Sequence, residues 1–234
     1  GDFAADLWSE LVNQGLLLLG LDEACGGYGG TFGDQLALLR ECGRHAVPAP
    51  VSHTLLANHL RSMLGQQGLT TPSAVIDGIV LSGSSESVSG ELRDVPWAAM
   101  LSSVLVQAEL EGAACWIELP VNKSSDHGKN IAGEPTATLS FDSAAPTLVL
   151  GSVSEQHLRE ILHRGAAMHS AMMAGALEQA LQIAVGYVLE RKQFGQPLAK
   201  FQAIQHQLAV MATEVAASTR SVDQMQMTED PPSD

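Results

Sequence analysis

The spacing of apolar residues changes character twice along the chain. Up to about residue 66 it is helical. Leu7, Trp8, Leu11 and Leu17 to Leu19 form one apolar face, and Leu36, Leu38, Leu39 and Cys42 form a second within Gln35 to His45. A third helix is expected from Val51 to Leu64, after Pro48 and Pro50. From about residue 73 to 150 the apolar runs are short and β-branched, and Gly, Ser, Pro or Asn bounds them (SAVIDGIVLSG, MLSSVLVQAEL, CWIELPV). Residues 136–142 (TATLSFD) alternate with a period near two, and Leu148 to Leu150 end at Gly151. This predicts five to seven short strands in a small β-sandwich or barrel, with Asn122–Asn130 (NKSSDHGKN) as an exposed hairpin loop.

Helical spacing returns after Ser152, where Ser152 and Glu155 suggest a capping box. Leu158, Ile161, Leu162, Met168, Met172, Ala176, Ile183 and Tyr187 carry it to about Arg191. The motif Phe194-Gly-Gln-Pro197 breaks the pattern, and a second helix runs from about Phe201 to Val222. The acidic tail MQMTEDPPSD is expected to fray. The fold class is therefore α+β and multi-domain. It comprises an N-terminal helical domain (1–66), a middle β-domain (67–151) and a C-terminal helical domain (152–234) with two long helices. Two such helices cannot bury their apolar faces alone, so the rest of a four-helix bundle must come from elsewhere.

Composition narrows the function classes. The 234 residues carry 12 basic and 26 acidic side chains, a formal charge of −14. That balance argues against nucleic acid and against an anionic membrane surface. The most apolar stretch, Gly165–Leu177, is interrupted by His169 and Ser170, so no membrane span is expected. The first residues, GDFAADLWSE, lack the basic start of a signal peptide. Cys25, Cys42 and Cys115 form no metal or redox pattern, and a reduced, cytoplasmic protein is the expectation. Only 16% of residues are charged, against roughly 25% in typical soluble domains, which suggests a surface partly covered by other subunits.

Most candidate chemistry dissolves on inspection. The run Cys25–Gly33 (CGGYGGTFG) misses G-x-G-x-x-G, because Phe32 stands at the required third position, and reads as a turn. His163 and His169 lie six residues apart, off a common helical face, and the eight histidines show no metal spacing. The serines from Ser82 to Ser87 lack a nucleophile elbow. No residue presents itself as a catalytic base.

The segment after Glu190 is different. Arg191, Lys192 and Lys200 stand in a stretch without an acid until Glu214, where one helix ends and the next begins. A forked guanidinium beside free helix N–H groups suits a pyrophosphate. Equally, cations at a helix C-terminus complement its dipole.

The same residues, 190–209 (ERKQFGQPLAKFQAIQHQLA), resemble the signature that opens the C-terminal helical domain of acyl-CoA dehydrogenases. Leu19-Gly-Leu21 with GGYGG resembles the family's N-terminal turn, Leu139 to Gly151 the end of its β-domain, and Ala166 to Ala184 its small-residue helix. The resemblance implies oxidation of an acyl-CoA thioester to the 2-enoyl-CoA with hydride transfer to FAD. It implies a flavin site built at a subunit interface, where Arg191 would contact the pyrophosphate beside Gln193 and Phe194, and Gln202 the adenosine. Arg164 is similar to the arginine near the CoA opening. Electron-transferring flavoprotein is the implied electron acceptor, and lipid β-oxidation or steroid side-chain degradation the implied setting.

Several family features have no counterpart. The T-E-P-x-A-G-S-D strand that cradles flavin and substrate has no counterpart in Ala74–Gly83, and Trp97 is a poor match for the aromatic flavin strand. The later bundle helices and the usual catalytic glutamate have no counterpart in these residues. Three readings remain open. The chain is a flavin-poor subunit of a hetero-oligomer, such as a heterotetramer with a homologous subunit. It is a complete enzyme whose catalytic half is missing from this sequence. Or it is a helical scaffold that does no chemistry.

Overall fold

The computed structural model describes residues 4–152 and 154–228. Three helices come first, α1 (Ala5–Asn13), α2 (Phe32–Arg44) and α3 (Val51–Met63). Seven strands follow: β1 (Ser73–Gly83), β2 (Val88–Pro96), β3 (Ser103–Leu110), β4 (Ala113–Pro120), β5 (Ser124–Lys129), β6 (Pro135–Ala144) and β7 (Leu148–Ser152). A 36-residue helix, α4 (Glu155–Glu190), leads through the two-residue strands β8 (Lys192–Gln193) and β9 (Gln196–Pro197) to α5 (Gln202–Thr228). Residues 229–234, the end of the tail expected to fray, lie outside the described residues, whereas Met225 to Thr228 belong to α5.

The seven strands form one sheet in the order β5-β6-β2-β1-β3-β4-β7. β1 runs parallel to β3, and the other pairs are antiparallel. Its inner core holds Val88, Leu92, Val104, Val106, Ile117 and Leu139, all at most 1% exposed. Five strands and the 3-10 turn Ala98–Met100 supply that core and no α-helix does. The sheet and its turn therefore enclose their own core, as the expected small β-sandwich or barrel would. On the outer face Leu105, Trp116 and Leu150 pack against Ala57 and Leu60 of α3 and Ile161 of α4. Asn58 of α3, 1% exposed, donates to the carbonyls of Leu17 and Leu69 and accepts from the Leu69 amide. A buried side chain with no unmet hydrogen bond thereby locks two loops to one helix.

Two local expectations are corrected. Part of the NKSSDHGKN loop is the edge strand β5, paired with β6. All but its first residue are exposed, so it has no apolar alternation to betray it. The cap of α4 is Ser154, whose Oγ accepts from the His157 amide at 3.1 Å, because Ser152 is still paired in β7. The Cys25–Gly33 run is a turn, as expected, bridged at Leu21 and Gly29. It also contains a capping box the sequence reading passed over, in which Thr31 and Asp34 bond each other's backbone at the start of α2.

Contacts group the chain into two compact units that cut across the three sequence segments. One holds the chain up to Gly30 and Pro48–Gly165, and the other holds Thr31–Val47 and the chain from Ala166 onward. Helix α2 thus joins α4 and α5, so the two-helix C-terminal expectation becomes a three-helix packing. Glycines permit the approach. A Cβ at Gly175 of α4 would stand 2.8 Å from the carbonyl carbon of Arg40 and 2.9 Å from the amide nitrogen of Arg44, and closer still to the Arg40 carbonyl oxygen. Gly43 of α2 meets the backbone of Met172 in the same way.

Candidate functional site

The second unit carries the segment that the sequence singled out. The Arg191 amide donates to the carbonyl of Tyr187 at 2.9 Å, the last turn of α4, and the Arg191 carbonyl accepts from the Leu198 amide at 2.8 Å. Between them Lys192 pairs with Pro197 and Gln193 with Gln196. Phe194 and Gly195 make the two-residue turn with φ of +52° and +80°. Both values are positive, which is the type I′ geometry that suits a tight hairpin. Asparagine is usual at the first position, whereas this chain places a phenylalanine there, in the left-handed region that costs a non-glycine residue about 1 kcal/mol or more.

Phe194 is 91% exposed, and its ring lies edge-on to Phe201 with centroids 6.1 Å apart. Arg191, Gln193 and Gln202 are exposed, and no carboxylate among the described residues pairs with Arg191. Gln202 is the first residue of α5, where backbone N–H groups lack intrahelical acceptors. An unpaired guanidinium, an exposed aromatic ring and a helix start therefore stand within twelve residues of chain, a donor set that fits a pyrophosphate with an attached aromatic group.

The helices that carry the hairpin are incompletely covered. Leu177, Ile183, Tyr187 and Leu189 of α4 and Val210 of α5 are exposed large apolar side chains. By length and composition α4 could cross a bilayer, since an 18-residue window has a mean hydropathy of 1.3. Its middle, however, carries a half-buried charge network. Glu178 accepts from Arg40 and Arg44 of α2 and from Thr219 of α5 at 2.8 Å, and Arg40 also reaches Asp223 of α5 at 3.3 Å. Burial alone would raise the Glu178 carboxyl, but the hydrogen bonds from Arg40 and Thr219 and the two guanidinium charges outweigh it and hold it below the ordinary glutamate value. The ends of the Arg40–Glu178 pair lie 138 residues apart, so nothing in the sequence announced it.

Arg164 lies in the other unit and is engaged. Its Nε donates to Glu160 at 2.9 Å, and Glu160 stands 3.3 Å from His59 of α3. Burial, helped by the Arg164 charge, pushes His59 down to about 4. The hydrogen bond from Arg164 holds Glu160 below its ordinary value. The same unit contains the two segments where flavin-cradling features were sought. In β1 the register against β3 jumps from Ile76–Val106 to Val80–Gln107 around Gly78, whose φ is +72°. Trp97 is 5% exposed within the sheet core, and its indole donates to Glu134 at 3.4 Å.

Comparison with known proteins agrees with this geometry. Residues 156–230 match the family "Acyl-CoA dehydrogenase, C-terminal domain". Acyl-CoA dehydrogenase FadE34 of Mycobacterium tuberculosis is 30% identical over 88% of this chain and 30% of its own length. Acyl-CoA dehydrogenase IpdE2 of Mycolicibacterium smegmatis is 24% identical over 91% of this chain and 63% of its own length. The chain thus spans less than two thirds of either relative. Among solved structures, a variant of the Tcur3481-Tcur3483 steroid ACAD superposes with a TM-score of 0.80 and 26% identity over 95% of this chain and 68% of that one. A helical hairpin with an exposed R-x-x-F-G-x-P turn, a curled sheet before it and these matches along most of the length agree on one conclusion: the chain belongs to the acyl-CoA dehydrogenase family.

Proposed function

We propose that this chain acts as an acyl-CoA dehydrogenase subunit that lends its Arg191 hairpin to a flavin site shared with a homologous partner chain. The observation that carries the reading is Arg191 itself, an exposed cation with no carboxylate partner among the described residues, set on a tight I′ hairpin beside uncovered apolar helix faces. Its guanidinium would hold the flavin pyrophosphate, with Gln193 and Phe194 against it and Gln202 toward the adenosine. FAD, when bound, accepts the hydride removed from the acyl-CoA thioester. The residues of this chain bind and orient, and the base that takes the α-proton comes from outside these 234 residues.

The match to a steroid ACAD built from two differently named chains supports a hetero-oligomer and a bulky lipid or steroid side-chain substrate. Electron-transferring flavoprotein would receive the electrons, and Arg164, held by Glu160, would flank CoA only after giving up that bond. A second reading, a longer dehydrogenase of which these residues are a part, draws support from the greater length of FadE34 and IpdE2.

The test is co-expression with a homologous acyl-CoA dehydrogenase subunit. A yellow complex is expected, with a colourless isolated chain. Arg191→Ala should leave the complex assembled and lower its flavin content at least tenfold, a loss of about 1.4 kcal/mol or more. Stoichiometric FAD and full acyl-CoA oxidation by the isolated chain would refute the shared site.

A further inference from the structure

In the unit built around the sheet, a cleft of about 380 Å³ opens where the end of α3 meets the starts of β3 and β7. Arg61 and Glu118 line it, with side chains 9% and 10% exposed. Nη1 of Arg61 donates to Oε2 of Glu118, and Nε donates to the Gln67 carbonyl at 2.7 Å. These bonds use only part of each group. The second terminal nitrogen of Arg61 and the second oxygen of Glu118 take no hydrogen bond among the described residues, and neither is a sealed, orphaned atom. Both side chains line the cleft.

Stability does not account for the pair. A buried ion pair is roughly break-even against apolar side chains of the same volume. It also sums to no net charge, so the cleft selects neither anions nor cations. What it offers is one N–H donor beside one carboxylate acceptor. A carboxamide carries the complement along one edge, a C=O for Arg61 and an N–H for Glu118, and both bonds are charge-assisted. The hydroxyls of Thr71 and Ser102 border the opening, and Pro120 and Leu148 supply an apolar wall. We propose that this cleft is a binding site for the carboxamide end of a small neutral ligand. The site is independent of the flavin hairpin.

Three isosteres test it. The ¹⁵N-labelled chain is titrated with propionamide, propionate and propylammonium, and the backbone signals of Gln67, Ser102 and Leu148 are followed. Propionamide should shift them saturably and bind about tenfold tighter than either charged isostere, a difference of about 1.4 kcal/mol. Glu118→Gln leaves the Arg61 charge uncompensated, so the preference should reverse toward propionate. Should that variant fail to fold, the ranking in the unaltered chain decides. Equal shifts from all three probes, a preference for propionate in the unaltered chain, or no shift at these signals with saturating propionamide would overturn the proposal.

Discussion

Replacing Gly175 by alanine tests whether α2 is an integral third helix of the hairpin-bearing unit. The added methyl would stand 2.8 Å from the Arg40 carbonyl carbon and 2.9 Å from the Arg44 amide nitrogen, and both obstacles are helix backbone. Backbone cannot swing aside as a flexible side chain can, so the two helices must separate by about an ångström. Overpacking of this kind costs about 1–3 kcal/mol, and a backbone obstacle belongs at the upper end. The same separation stretches the bonds from Arg40 and Arg44 to Glu178. Against this, alanine improves on glycine in a helix interior by about 1 kcal/mol. The net expectation is a loss of about 2 kcal/mol. Gly186 provides the control, because it lies in the same helix and a Cβ there meets nothing within 4 Å. Gly186→Ala should therefore stabilise by about 0.5–1 kcal/mol. Urea unfolding followed by circular dichroism reads both: with a slope of about 2 kcal/mol per molar, the two midpoints should differ by more than about 1 M. Equal midpoints would refute the close helix crossing and the place given to α2.

Other outcomes follow from named contacts. Glu178→Gln removes the carboxylate charge shared by Arg40 and Arg44 and turns one of its two acceptor oxygens into an amide donor, which should cost about 1–3 kcal/mol in the same assay. Because the Glu178 carboxyl is held low in the folded chain, its contribution is full above the ordinary glutamate value and is lost as pH falls through the folded value, so acid should loosen the three-helix unit in the unaltered chain but much less in the variant. His59 follows the same sign for a different reason: it is buried neutral, with its value lowered from 6.5 to about 4, so stability should fall as pH drops across that window. The slope should approach 1.4 kcal/mol per pH unit for this single proton, and His59→Phe should flatten it. Thr31→Ala removes the capping box of α2 and should cost about 1 kcal/mol, readable as a lowered thermal midpoint.

Much of the outline was legible because it rests on local rules. The alternation of residue types at 136–142 and the β-branched runs announce β6, β1 and β3, although Thr136–Leu139 and most of β3 are buried at consecutive positions, on both faces. The i, i+3, i+4 spacing announces α3 and α4, and Phe194-Gly-Gln-Pro197 announces the break between α4 and α5. The hairpin residues Arg191, Gln193, Phe194 and Gln202 were legible as a group because one short contiguous motif contains them. Strand β5 was not, because an edge strand with both faces in water leaves no hydrophobic trace. Neither was Ser154, since two serines two residues apart satisfy the same capping pattern and only the pairing of Ser152 in β7 separates them.

By itself the sequence determined most of the helical and strand segments, β5 excepted, and where an exposed basic turn interrupts two long helices, because periodicity, glycine and proline act over a few residues. Only the tertiary structure decided that α2 leaves its sequence neighbours to pack against α4 and α5, that Arg164 is tied to Glu160 and His59, and that Arg61 meets Glu118 beside a cleft. These are meetings of residues separated by up to 183 positions, for Arg40 and Asp223. They depend on how buried charges find partners and where glycine lets two backbones touch, and no local pattern encodes either.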